Sequence, residues 1–406
     1  MEISLIKDQD FIIFGLQPWD IPTGSNCKNM AEEISRHNRA LYVNRPLDRI
    51  SQHKYKNDIR TKNRLESINH GKNVLEEISS RLWVFNPRVI IESINFLPRG
   101  FIYNYFNKRN NKKLANEINW ASNQLGFKNP ILIIDNDFFN GLNLRDFLKP
   151  RLFVYYIRDF LLSQKYFVRH GSKAEPLMIQ KADLVAANSK YLAGYASRYN
   201  SNTADIGQGC DVQDFLEVSS EIPADVTCIK YPVIGYCGSL TSTRLDLELI
   251  HFIAVQKPGW NIVLVGPEDD RFKLSILHQL HNIYFLGSKP AKQLPQYIHT
   301  FDVCVNPQLL NQMTIGNYPR KVDEYLAAGK PVVATKTEAM EMFAGQVYLC
   351  DKKEDYILKI QEALDEPLKE TRKEARREMA KSHTWAASVK ELYKSIRKTV
   401  EIYGGQ

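Results

Sequence analysis

The sequence predicts an α/β protein built from two doubly wound, Rossmann-like domains, and three observations lead there. At 406 residues the chain is longer than one hydrophobic core usually organises. Short apolar runs alternate with helix-length amphipathic stretches from one end to the other. The runs are continuous rather than alternating, as in parallel strands covered on both faces.

In order along the first half, the strand candidates are "FIIFG" (11–15), "ALYVN" (40–44), "RLWVFNP" (81–87), "ILIID" (131–135), "LFVYYI" (152–157) and "DLVAAN" (183–188). The second half repeats the idiom with "VIGYCG" (233–238), "NIVLVG" (261–266), "IYFLG" (283–287), "DVCVNP" (302–307), "PVVAT" (331–335) and "VYLC" (347–350). The stretch "EVSSEIPADVT" (217–227) joins the halves. The expected domains are therefore residues 1–220 and 221–382, with a closing helix over 383–406. Ligands in such folds sit at the carboxyl ends of the strands, and two facing sheets would leave a cleft between the domains.

Composition fits a soluble globular protein, with 44% hydrophobic and 25% charged residues. The opening "MEISLIKDQDFIIFG" has acids before a run too short for a signal or a membrane span, which makes a cytoplasmic location the expectation. Six cysteines lie far apart with no CxxC pair, arguing against a disulfide framework or a zinc site. The net charge of +8 is concentrated in residues 45–116, where fifteen Lys/Arg face six Asp/Glu. Within that region "LPRGFIYNYFNKRNNKK" (97–113) interleaves aromatic and basic residues, a composition suited to an anionic membrane surface and equally to a solvated helix face. No nucleic-acid motif accompanies the charge.

The densest chemistry lies in "GNYPRKVDEYLAAGKPVVAT" (316–335). Asn317 reads as an N-cap, Pro319 as a first-turn residue, and Gly329 with Pro331 as the stop. Val322, Tyr325 and Leu326 form the apolar stripe. Lys321 and Glu324 share a face just inside the amino terminus, where backbone N–H groups and the helix dipole attract anions. A phosphate fits beside Lys321, and Glu324 could accept two hydrogen bonds from a diol such as a ribose. The plain alternative is an Arg320–Glu324 surface ion pair.

This segment resembles the donor-binding signature of the group 1, family 4-like glycosyltransferases of the GT-B fold, whose characteristic Glu opens a helix ending in A-x-G-x-P-V-V-A-T. Further segments resemble the family in the family's order: "ADLVAANSKYLAGY" (182–195), "IGQGCDVQDF" (206–215), "IGYCGSL" (234–240), "IVLVGPED" (262–269), "NIYFLGSKPAKQLPQYIHTFDVCVNP" (282–307) and the terminal "HTWAASVKELYKSIRKTV" (383–400). The form with Pro319, Lys321 and Glu324 looks more like the subgroup that builds bacterial cell-surface polysaccharides, teichuronic-acid-type transferases included. The resemblance implies transfer of a sugar from a nucleotide-diphosphate donor to a saccharide or lipid-linked saccharide. Glu324 would then be the ribose carboxylate, and Lys321 and Arg244 the cations nearest the diphosphate. Gly238 would allow close backbone approach. Fixed cations and helix amides would stabilise the leaving nucleotide without a metal. The sequence departs from the family twice: Gly316 stands where the first acid of the E-x7-E pair belongs, and Ser239 replaces the arginine of G-R-L.

The first domain is expected to bind the acceptor. "YYIRDF" (155–160) sets Arg158 and Asp159 just past a strand, and Asp159 is the candidate base for deprotonating an acceptor hydroxyl in an inverting transfer. Its plain alternative is a helix cap or a partner of Arg158. His170 lies on the next segment as a cleft or packing residue. In "LQPWDIPTGSN" (16–26), Gly24 and Ser25 could meet a phosphate or the acceptor, while Trp19 and Asp20 could stack on and hydrogen-bond a sugar. Asp135 and Asp137 in "ILIIDND" resemble the metal-holding DxD of the other large glycosyltransferase fold, but the collinear second-half matches argue for GT-B and no metal is expected. The competing readings are a nucleotide-sugar epimerase, which needs no acceptor, and a non-catalytic sugar-binding scaffold, which Gly316 and Ser239 would suit. A nicotinamide oxidoreductase is disfavoured because neither half carries GxGxxG after a strand.

Overall fold

The structure is a computed structural model that describes residues 5–21, 25–217, 221–367 and 369–404. Its contacts divide the chain into two units, one of residues 1–207 with 388–406 and one of residues 208–387. The sequence joint at 220/221 lies beyond this division because Cys210, Val212 and Phe215 are already buried in the second unit's core.

The first unit holds β1 (Asp10–Gly15), β2 (Arg39–Val43), β3 (Leu47–Asp48), β4 (Leu75–Ser79), β5 (Leu82–Phe85), β6 (Ile90–Ile91), β7 (Ile131–Asp135), β8 (Leu152–Ile157), β9 (Leu184–Ala187) and β10 (Thr203–Asp205). Eight of them form one sheet in the order β10-β9-β8-β7-β1-β2-β5-β4, while β3 and β6 pair separately. All the pairings in the large sheet are parallel except β4 with β5. That antiparallel edge was not expected, since "LEEIS" is polar and half exposed, as an outermost strand can be. Every residue of β1, β7 and β8 is buried, which accounts for their unbroken apolar runs. The chain's last helix, Trp385–Gly404, supplies Tyr393 to this unit, where its hydroxyl accepts from Asn38 Nδ2 at 2.8 Å.

The second unit is a six-stranded parallel sheet of β11 (Val233–Cys237), β12 (Asn261–Val265), β13 (Ile283–Gly287), β14 (Val303–Asn306), β15 (Val332–Thr335) and β16 (Val347–Cys350). Its order is β13-β12-β11-β14-β15-β16. Successive strand residues feed opposite faces, as the two-residue repeat requires. Cys237, Val263, Val265 and Val332 enter one core layer, and Ile234, Tyr236, Leu264 and Val333 enter the other. In each unit the winding reverses between two adjacent strands, β1 with β7 and β11 with β14. The carboxyl ends of those pairs are where this topology binds ligands. Among the described residues no helix is long and apolar enough to cross a membrane.

Candidate functional site

In the second unit the loops leaving β11 and β12 cross backbone against backbone. Gly238 has φ +142° and Gly266 φ +148°, and a Cβ on Gly266 would lie 1.9 Å from the Gly238 carbonyl oxygen. Only glycine fits that crossing. Gly238 N–H donates to Val265 O at 2.9 Å, and Leu240 N–H to Pro267 O at 2.8 Å. Asp269 fastens the same loops by accepting from Ser242 N at 2.7 Å and Ser242 Oγ at 2.8 Å. Burial opposes the Asp269 carboxylate, but the N–H groups of Phe272 and Ser242 outweigh it and hold the acid below the usual range. Arg244 is exposed on the β11 loop, and its carbonyl accepts from Leu309 N at 2.8 Å, tying in the loop after β14.

The helix Arg320–Ala327 stands beside these loops. It begins later than the sequence suggests, after Pro319, and Asn317 lies in the preceding turn with its N–H donating to Thr314 O at 3.0 Å. No side-chain oxygen caps its amino terminus. Val322, Tyr325 and Leu326 are buried as the stripe requires. Tyr325, expected only as an apolar residue, reaches back to β11, accepting from Cys237 N at 2.8 Å and donating to Cys237 O at 3.2 Å. Lys321 Nζ lies 4.8 Å from the centre of the Tyr236 ring, and its Cε would be 3.1 Å from a Cβ on Gly238. Lys321 and Gly238 are therefore neighbours in space. Arg320 Nε is 3.3 Å from Glu324 Oε1, so the ion pair that the spacing allows is present, and both side chains keep partial exposure. Asp323, between Lys321 and Glu324, is fully buried and meets Tyr318 OH and His383 Nδ1. Burial pushes its carboxyl up, and the His383 hydrogen bond offsets part of that rise.

In the first unit the corresponding strand ends are furnished differently. Asp135, at the end of β7, is buried, and its Oδ1 meets Arg158 Nε at 2.8 Å. Burial pushes the Asp135 carboxyl up, with Arg158 offsetting part of the rise. Arg158 Nη1 also meets Asp159 Oδ2 at 2.8 Å, and the Asp159 side chain keeps 30% exposure. Asn136, with φ +55°, accepts from the N–H groups of Arg158 and Asp159 at 2.7 and 3.0 Å and so fixes the turn that presents them. Asp137 caps the next turn through Phe139 N and Asn140 N and pairs with Arg45 Nε at 3.0 Å. Both aspartates of the DxD-like pair are thus engaged within the protein. Among the described residues no group of three or more His, Cys, Asp or Glu is arranged to hold a metal ion.

The remaining first-unit candidates have structural partners. Ser25 caps the helix Asn26–Ser35 by accepting from Lys28 N at 3.2 Å. Trp19 N–H donates to Asn44 Oδ1 at 2.7 Å, and its ring lies edge-on to Tyr42 with Lys28 above it. Asp20 pairs with Arg64 at 2.8 Å. Gly24 lies outside the described residues. His170 is buried, stacked on Tyr103 with ring centres 3.6 Å apart, and its Nε2 meets Asn95 O at 3.1 Å. Burial lowers its pKa, so it serves as a neutral packing residue. Tyr325, Asp323 and Gly266 escaped the sequence reading of the site.

Comparison with known proteins agrees with this architecture. Residues 231–366 match the family model described as glycosyl transferases group 1. A Bacillus subtilis protein named as a teichuronic acid biosynthesis glycosyltransferase, TuaH, is 28% identical over 236 residues. That match covers 54% of this chain and 58% of the relative's length. Among solved structures, the sucrose-phosphate synthase of Thermosynechococcus elongatus superposes with a TM-score of 0.68 at 16% identity, covering 98% of this chain and 100% of its own. Anabaena HepE, solved with UDP and glucose, gives 0.63 at 17% identity, covering 97% and 99%. A glycosyltransferase from Rickettsia africae gives 0.61 at 13% identity, covering 98% and 100%. The chain is a GT-B-fold protein related to the group 1 glycosyl transferases.

Proposed function

We propose that the chain is a glycosyltransferase that moves a sugar from a nucleotide-diphosphate-sugar to a saccharide or lipid-linked saccharide, in the synthesis of a bacterial surface polysaccharide. The observation that carries this reading is the grouping of Lys321 with Gly238 beside a helix amino terminus that no side chain caps, with Glu324 in the first turns of the same helix. Such a terminus attracts a diphosphate, and Lys321 adds a full positive charge to the dipole. Arg244 is the second cation, and Glu324 accepts the ribose hydroxyls once it turns from Arg320. As the glycosidic bond breaks, negative charge grows on the leaving nucleotide, and fixed cations in place before the reaction stabilise it. The name of TuaH supports the polymer, and the UDP and glucose in complex with HepE support the donor class.

In this reading Asp159 deprotonates the acceptor hydroxyl, with Arg158 and Asn136 holding it in position. The acceptor would reach the chain from the inner face of the cell membrane. Phe101 is 83% exposed at the start of the helix Phe101–Gln124, with Ile102 and Tyr105 also exposed and Lys108, Arg109 and Lys112 following on the same helix. That mixture suits an anionic bilayer. Sedimentation with phosphatidylglycerol vesicles that weakens as salt rises is the expected behaviour, and no sedimentation at low salt would remove the membrane from the reading.

The donor site is tested by thermal shift with nucleoside diphosphates and sugar nucleotides on the wild type and Glu324→Ala. A ligand at a hundredfold excess over its dissociation constant stabilises the folded state by about 2.7 kcal/mol. One nucleotide should raise the melting temperature of the wild type and not of the variant, and kcat/KM of the variant should fall by about a hundredfold or more. A shift unchanged in the variant would move the donor site elsewhere.

A further inference from the structure

Asp323 is an unfavourable residue for its position. Fully burying a carboxylate on a helix of eight residues carries a large desolvation penalty, and an apolar residue of similar size often serves stability as well or better. Its two oxygens are met from two different segments. Tyr318 OH donates to Oδ2 at 2.7 Å from the loop before the helix, and His383 Nδ1 donates to Oδ1 at 2.8 Å from the start of the turn that leads into the last helix. Phe343 packs against both rings, with centres 5.6 Å from Tyr318 and 5.5 Å from His383. His383 is itself held, since its carbonyl accepts from Cys210 N at 2.8 Å. The acid is therefore tied to parts of the second unit outside its own helix.

The same helix is tied on another side by Tyr325, whose hydroxyl grips the Cys237 backbone immediately before Gly238. Residues 323 and 325 lie about 200° apart around a helix, so two such ties fix its rotation about its own axis as well as its position. That rotation decides where Lys321 and Glu324 point. The buried stripe of Val322, Tyr325 and Leu326 seats this short helix on the core, and the two polar ties add directional restraints to a helix whose start no side chain caps.

We infer that Tyr318, Asp323 and His383 form a positioning triad for the nucleotide donor, holding the helix Arg320–Ala327 in the rotation that presents Lys321 and Glu324. This rests on the donor reading of that helix. The three residues touch no substrate and act through the helix, so their removal weakens nucleotide binding by leaving it to be ordered at the moment of binding.

The test is calorimetric titration of the full chain with UDP, GDP, ADP and dTDP at about 15 °C, near the usual temperature of maximum stability, on the wild type, Glu324→Ala, His383→Leu and His383→Asn, together with melting curves in the absence of nucleotide. The expected result is that the nucleotide bound by the wild type is lost in Glu324→Ala and binds about tenfold more weakly to His383→Leu. His383→Asn should bind within about threefold of the wild type, because its amide N–H stands where the imidazole Nδ1–H does. A role in stability alone would lower the melting temperature of the His383 variants and leave their affinities equal to the wild type, which overturns the triad while the Glu324 result upholds the donor site. Binding by none of the four nucleotides, or binding indifferent to Glu324→Ala, overturns the donor reading and the triad with it. If His383→Leu fails to fold, Tyr318→Phe replaces it. That variant keeps the ring and loses one hydrogen bond, so a weakening of about threefold is expected and unchanged affinity overturns the triad.

Discussion

The two units share one winding and use its reversal point in opposite ways. At the end of β11 the second unit leaves backbone bare: Gly238 and Gly266 cross with no side chain between them, and Lys321 stands at the opening. At the end of β1 the first unit fills the equivalent place from within. A Cβ on Gly15 would meet Cys27 Sγ at 2.6 Å and Tyr42 OH at 2.8 Å, and Asp135 and Arg158 close the space with a buried ion pair. Glycine leaves backbone open in one unit and makes room for internal packing in the other. Topology marks where a ligand can bind, and the side chains at that point decide whether a ligand or the protein occupies it.

The largest effect is expected from Gly266→Ala. The new methyl meets a carbonyl oxygen of backbone at 1.9 Å in a conformation that alanine rarely adopts. The expected loss is roughly 4 kcal/mol of stability, seen in urea denaturation, together with loss of any nucleotide-induced thermal shift. A folded variant that still binds nucleotide would show that the crossing is not part of the donor site.

Asp135→Asn tests the filled reversal point. It leaves the Arg158 guanidinium buried with Asp159 as its remaining carboxylate, at an expected cost of about 3 kcal/mol. Because Arg158 also positions Asp159, activity should fall further than the folded fraction does. A loss of activity that follows stability alone would detach Asp159 from the chemistry.

Glu175 extends the contrast, because the first unit also buries this carboxyl completely, with Tyr155 and Tyr195 as donors at 3.3 and 3.1 Å. Burial raises it from an ordinary carboxyl to about 7, and the two hydroxyls only partly offset that. A raised acid holds its proton in the folded state, so its contribution is intact below about pH 4.5 and is lost as pH climbs to about 7. Between those limits the wild type should lose roughly 3 kcal/mol relative to Glu175→Gln, measured as unfolding free energy in paired denaturant titrations. Parallel pH profiles for the two proteins would place the titration elsewhere.

Much of this was legible in the sequence because parallel strands buried on both faces need unbroken apolar runs, and "ILIID" or "PVVAT" has few other uses. The buried stripe of Val322, Tyr325 and Leu326 was legible for a similar reason, since three and four residues are the spacings of a helix face. What escaped were residues whose partners are remote in sequence. Tyr325 reads as one more apolar position until Cys237 is beside it, and Asp323 reads as surface charge until His383 arrives 60 residues later. Asn317 misled by composition, a good cap residue that lies in the turn before the helix while Pro319 holds the cap position. The sequence of β4 carried no apolar signal because an edge strand has little to bury.

The return of the last helix to the first unit bears on how the protein is made. Tyr393 and Thr399 are buried against elements that leave the ribosome far earlier, bonding Asn38 and Asn202 respectively. The second unit is contiguous in the chain and has all its residues available at Ala387. Synthesis therefore completes the units in reverse order: the unit that begins first must wait with its last helix missing while its neighbour is translated whole, and it is the one exposed to proteases and chaperones in the interval.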